Sequence, residues 1–207
     1  MNEQRSTEEL SRYVDDIKTI KSLLFDVERR PLYEHWVFYV WGALVIVGTV
    51  AQFILSKSYE LAIGELFLAI WLPVMVLMAL SEIIALVRNL SRYSVSLFSL
   101  PYIRFYLASM PCVAALVFIG VLFIKSGSQE YLPLVILLSG SILFAILAQH
   151  GGYSSAFVYS FLMFFLTLVL AFAGLPVRIL SLVVGVTIGS AVVAVGLTAR
   201  YLEKKNR

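Results

Sequence analysis

Only a handful of side chains in this sequence have the type and setting that chemistry requires. Glu65 and Glu82 are two carboxylates inside one long apolar run, 61–87. An ionisable group held in hydrocarbon is costly, so each is a candidate for cation binding or proton transfer. They stand about 100° apart around a helix and share no stripe. Glu65 lies about one and a half turns inside one end of the run, roughly 6–9 Å deep. Its plainer role is to reach the headgroup layer or to pair with a loop lysine. Glu82 lies near the other end, close to Arg88, Arg92 and Arg104, and is expected to form ion pairs there rather than relay protons. His150 stands between Gln149 and Gly151-Gly152, and the only other histidine is His35. With no His-x-x-x-His and no Cys-x-x-Cys, a zinc centre lacks its ligands. His150 is expected to cap a helix end, and neither a metal nor a cofactor is expected.

Nucleophilic chemistry fares no better. Ser139-Gly140-Ser141 invites comparison with intramembrane serine proteases, whose nucleophile motif is Gly-x-Ser-Gly, but Leu137 occupies the place of the first glycine. Ser141 and His150 would also stand about 13 Å apart along one helix, too far for a nucleophile–base hydrogen bond. A phosphate-cradling Gly-x-x-x-x-Gly-Lys motif is missing from the sequence. Gly185 and Gly189 form a GxxxG pair, extended by Ser190, Ala194 and Gly196. Small residues at this spacing let two backbones approach and gain dispersion contacts, within one bundle or between copies.

The elements that must carry these residues follow from composition. Of 207 residues, 60% are hydrophobic and 14% charged, and mean hydropathy is +0.91. A soluble domain is about half apolar and about a quarter charged, so a soluble enzyme, a disordered chain and a nucleic-acid module are excluded. The single cysteine, Cys112, excludes a disulfide scaffold. Charge is also unevenly spread. Residues 1–34 hold 14 charged side chains, whereas 35–199 hold 10. Three segments result: 1–34, facing water; 35–199, facing lipid; and a basic tail, 200–207.

Six apolar runs are each close to the 20 or so residues that cross a bilayer as a helix: 35–55, 61–87, 102–125, 132–149, 154–174 and 177–199. Turn residues separate them, among them Ser56-Lys57-Ser58, Lys125-Ser126-Gly127-Ser128 and Gly174-Leu175-Pro176. The expected fold is all-α, a six-span polytopic bundle preceded by one amphipathic helix. A re-entrant hairpin at 150–153 is the alternative to two full crossings. Pro73 and Pro111 are expected to break hydrogen-bond ladders in spans two and three. With six spans, 13 of the 16 Lys and Arg residues fall on the side of the termini and 3 on the other. The positive-inside rule then places both termini in the cytoplasm, across a plasma or inner membrane. Asn89-Leu90-Ser91 matches a glycosylation acceptor, but this orientation keeps it cytoplasmic. Tyr33, Trp36, Tyr39 and Trp41, with Tyr102, Tyr106, Tyr131, Tyr153 and Tyr201, lie near span ends, where aromatic belts form.

Residues 6–30 carry the clearest pattern in the chain. Leu10, Tyr13, Ile17, Ile20, Leu24 and Val27 recur at intervals of 3 and 4 residues, which lines them on one helical face close to a heptad seam. Ser6-Thr7-Glu8-Glu9 fits a capping box, and Pro31 ends the helix. The opposite face carries both signs of charge. That favours a protein contact or self-pairing over a flat lipid surface, where Lys and Arg would dominate; packing on the chain's own bundle is the plain alternative. The sequence therefore points to a non-enzymatic membrane module whose N-terminal helix binds a partner or a second copy. The runner-up is a small-solute or ion transporter or channel subunit using Glu65 and the proline-bearing spans two and three. Partners other than lipid and protein, nucleic acid included, are not expected.

Overall fold

The computed structural model describes Ile17 and residues 34–58, 67–93 and 100–205. By its contacts the chain divides into two units, Met1–Pro31 and Leu32–Arg207. The second unit is all-helical among the described residues. Its helices are α1 (His35–Ser58), α2 (Leu72–Tyr93), α3 (Leu100–Ser126), α4 (Leu132–His150), α5 (Ser155–Phe172) and α6 (Val177–Lys205). A π-turn, Phe67–Trp71, leads into α2, and a 3-10 turn, Gln129–Tyr131, leads into α4. Among the described residues, six segments are long and apolar enough to cross a membrane: His35–Ser56, Leu68–Asn89, Ile103–Ser126, Leu132–His150, Ser155–Phe172 and Val177–Leu202. Five of these agree with the expected runs to within a few residues. The second, expected over 61–87, is described only from Phe67 and continues to Tyr93.

Successive helices run antiparallel, as their cross-links show. Trp41 near the start of α1 reaches Ser81 near the end of α2, and Tyr106 early in α3 reaches Glu82 in α2. Ser141 in α4 meets Ser160 in α5, and Thr198 late in α6 meets Ser155 at the start of α5. The α4–α5 connection is a tight turn in which Gly152 adopts φ 75°, a backbone region that glycine occupies without steric cost. The helices it joins have 19 and 18 residues, about 27–29 Å each at 1.5 Å per residue. Each is long enough for a full crossing.

The packing has a closed side and an open side. The most extensive contacts join α1 to α6 and α4 to α5, and α6 also touches α4 and α5. Leu137, Met163, Val37 and Val195 fill this interior, and all are at most 1% exposed. By contrast α2 leans on α1, and α3 leans on α4. None of the residues in α3's apolar window is buried. Leu107, Met110, Val117 and Phe118 face outward from α3, as Met75, Leu80, Ile83 and Val87 do from α2. Apolar side chains turned outward on this scale suit hydrocarbon rather than water.

Pro73 has a visible effect. Its ring would clash with the carbonyl four residues back, and it has no N–H to donate. The chain there is wound as the wider π-turn Phe67–Trp71 before α2 begins. Pro111 leaves α3 continuous from Leu100 to Ser126. The belt expectation needs one correction. Tyr131 and Tyr201 are 53% and 68% exposed, but Tyr153 is 3% exposed. It sits edge-on to Phe38 of α1, 4.8 Å between ring centres, and joins the core instead of the headgroup layer.

Candidate functional site

The α1–α6 seam fixes the register of both ends of the bundle. A methyl group added at Gly189 would lie 2.5 Å from Ile46 Cγ1 and 2.8 Å from the Gly42 carbonyl oxygen, and one at Gly185 would strike the Thr49 side chain. The GxxxG pair is thus spent inside one chain, against α1. Gly42 is its counterpart: a side chain there would collide with Val193 and with the Gly189 carbonyl. Tyr39 OH donates to the Gly196 carbonyl at 3.2 Å and ties the same two helices near the start of α1.

At that end of the bundle, polar groups are consumed in holding helices together. Glu34 accepts from Trp36 Nε1 at 2.5 Å and pairs with Arg88 at 3.6 Å. Trp41 Nε1 donates to Ser81 Oγ at 2.8 Å and to the Met78 carbonyl at 3.2 Å. Glu82 Oε1 accepts from Tyr106 OH at 2.6 Å, linking α2 to α3. Arg88 therefore pairs with Glu34, whereas the sequence had placed it, with Arg92 and Arg104, beside Glu82. Arg88 stands six residues beyond Glu82 on the same helix, so the two project from different faces. Asn89 is 6% exposed inside α2.

The residues that raised enzymatic chemistry are dispersed. Ser141 Oγ donates to the Ser160 carbonyl at 2.9 Å and lies 3.4 Å from Ser160 Oγ, a buried link between α4 and α5. His150 ends α4, and it is the Gly151 N–H, donating to the Leu147 carbonyl at 2.9 Å, that closes the helix. Among the described residues no three His, Cys, Asp or Glu side chains gather as a metal site would require. Glu65 lies outside the described residues, as do Leu10, Tyr13, Ile20, Leu24 and Val27 of the amphipathic seam. Ile17 of that seam is described: it is helical and 63% exposed.

The opposite end holds a feature that reading the sequence missed. Where α1 ends and α6 begins, a cavity of about 310 Å³ is lined by Thr49, Gln52, Phe53, Ser56, Arg178 and Ser181, with Val177 and Leu182. Arg178 Nη2 donates to the Phe53 carbonyl at 2.9 Å, and the guanidinium lies 4.5 Å from the centre of the Phe53 ring. Trp71 Nε1 donates to Gln52 Oε1 at 2.7 Å. A signal for this site was present. Thr49, Gln52 and Ser56 recur at 3 and 4 residues, and Arg178 and Ser181 at 3, so each set forms a polar stripe on one helical face.

No protein-family model, no curated protein and no solved structure is detectably similar to this chain. The fold alone defines the class: six apolar helices of spanning length, compatible with an integral, multi-pass membrane protein.

Proposed function

We propose that the chain is a non-enzymatic membrane module with both termini in the cytoplasm, whose N-terminal helix recruits a protein partner through the seam Leu10, Tyr13, Ile17, Ile20, Leu24 and Val27. The observation that carries this reading is Ile17, a seam position that is helical and 63% exposed. An exposed apolar side chain on a helix is the kind of anchor that helix-in-groove or helix-pair recognition uses. Two further observations support a binding role over a catalytic one. Ser141 and Glu82 are engaged in helix-to-helix hydrogen bonds, and the interior is packed with large apolar side chains.

The transporter reading draws support from one feature, the π-turn ahead of Pro73, because such turns often mark functional positions in helices. The interior filled by Leu137, Met163 and Val195 weighs against it, since a hydrophilic path needs polar lining.

The test is affinity capture of the full-length protein from native membranes, beside an Ile17→Glu variant. A protein recovered in near-stoichiometric amount with the parent is expected to fall about tenfold or more with the variant, since burying one isoleucine is worth about 1.5–3 kcal/mol. A second copy of the chain as the captured protein identifies self-association. Recovery unchanged by Ile17→Glu contradicts the proposal.

A further inference from the structure

The cavity between α1 and α6 lies wholly within the second unit, and its charge is of one sign. Arg178 brings a positive charge, and no carboxylate lies within ion-pair distance of it among the described residues. Its Nε is buried and makes no hydrogen bond. One edge of the guanidinium is pinned by the Phe53 carbonyl and stacked on the Phe53 ring, so the charge is held in place rather than swept through solvent. Gln52 has its oxygen occupied by Trp71; what it has left to offer is an NH2 group, a pair of donors. The Ser181 hydroxyl adds another donor at the wall. Arg178 is the second residue of α6, so the helix's positive end and its first N–H groups adjoin the same space. Thr49 and Ser56 turn their hydroxyl hydrogens to the Val45 and Phe53 carbonyls of their own helix, so the positive charge and the uncommitted donors gather at Arg178, Gln52 and Ser181, the kind of group that holds an anion.

Position narrows the anion. The membrane-capable segments end at Ser56 in α1 and begin at Val177 in α6. The cavity therefore occupies the last two turns of one span and the first two of the other, within about 10 Å of the span ends. This reaches from the headgroup layer into the outermost hydrocarbon, where a phosphate and its glycerol backbone lie. Phe53, Val177 and Leu182 supply an apolar wall on which a glycerol backbone or acyl chain can lie. The volume sits at the small end of the range for ligand pockets, about 300–1,000 Å³.

We propose that this cavity binds a phosphate-bearing anion, with Arg178, Gln52 and Ser181 as its donors. The anion is presented by an anionic phospholipid or supplied as free phosphate.

Native mass spectrometry of the full-length protein, with phosphatidylglycerol, phosphatidylcholine and inorganic phosphate as separate probes, tests this. Phosphatidylglycerol adducts are expected on the parent protein. They should weaken ~10–100-fold in Arg178→Gln, the range expected for losing a charge-assisted hydrogen bond. Arg88→Gln, at the other end of the bundle, should leave them unchanged. Ser181→Leu fills the cavity while leaving the Arg178–Phe53 contact in place, and should also abolish them; it serves should Arg178→Gln fail to fold. Binding of inorganic phosphate with the same sensitivity assigns the site to the free ion. Phosphatidylcholine retained as well as phosphatidylglycerol, or adducts on a folded Arg178→Gln or Ser181→Leu protein equal to those on the parent, overturns the proposal.

Discussion

Trp41 and Arg88 both lie at the end of the bundle where α1 begins, and they contribute very differently. Trp41 is partly buried and gives its indole N–H to Ser81 Oγ at 2.8 Å, with the Met78 carbonyl at 3.2 Å behind it. Removing that donor leaves acceptors in a place water reaches poorly. Trp41→Phe is therefore expected to destabilise the bundle by about 1–3 kcal/mol. Arg88 is 58% exposed and meets Glu34 only at 3.6 Å; an ion pair of that kind is worth about 0–1 kcal/mol, so Arg88→Gln should cost less. Reversible unfolding in mixed detergent, read by circular dichroism, ranks the two; the reverse order would show that charge holds this end together and hydrogen-bonded burial does not. At this scale the sequence was only partly legible. That Glu82 would have a polar partner followed from the cost of an isolated carboxylate, but one such partner, Tyr106, is a phenol on the next helix. Pairings across helices depend on the rotation of each helix, which local spacing does not reveal. The Arg178 site was hidden for the same reason: its two polar stripes are separated by more than 120 residues and become one wall only when α1 and α6 pack together.

Among the elements, α1 and α6 form the tightest pair, and glycine sets their distance. Gly189 and Gly120 both sit within helices, yet a methyl group at Gly189 would meet Ile46 Cγ1 at 2.5 Å, whereas one at Gly120 would meet only Leu132 Cδ2 at 3.9 Å. Alanine at Gly120 should be neutral or stabilising by up to about 1 kcal/mol, the intrinsic helix preference. At Gly189 it forces the helices apart and should cost about 1–3 kcal/mol, as overpacking does. The same detergent unfolding series checks the pair; equal effects at the two positions would mean that α1 and α6 do not pack as described. The Gly185–Gly189 spacing announced close helix contact but not its partner. The matching residue on α1, Gly42, is a lone glycine with no pattern around it. Helix identity and length, by contrast, were almost fully legible, because each span is an uninterrupted apolar run closed by turn residues. The form of the break at Pro73 was not legible: the sequence announced a disturbed hydrogen-bond ladder, and the structure shows it as a π-turn over Phe67–Trp71.

At the largest scale, the helical unit Leu32–Arg207 is asymmetric in a way that composition alone does not reveal. One side is a compact set built on α1, α4, α5 and α6; the other is α2 and α3, each attached to one main neighbour and turned outward. Every apolar run looks alike in sequence, so which ones become core and which face lipid is decided by small residues and by cross-helix hydrogen bonds. Orientation rests on the 13 to 3 distribution of Lys and Arg between the two ends, and both the partner-binding role proposed for the N-terminal segment and the leaflet of the Arg178 cavity depend on it. Cysteine accessibility tests it most directly. In a Cys112→Ser background, single cysteines are placed at Ser6, Ser126, Ser154, Leu175 and Lys205, and intact cells are treated with a membrane-impermeant maleimide. Ser126→Cys and Leu175→Cys should be labelled from outside, while Ser6→Cys, Ser154→Cys and Lys205→Cys should react only after the membrane is opened. Labelling of Ser6→Cys or Lys205→Cys in sealed cells would place a terminus on the wrong side and contradict the assignment of six crossings with both ends in the cytoplasm.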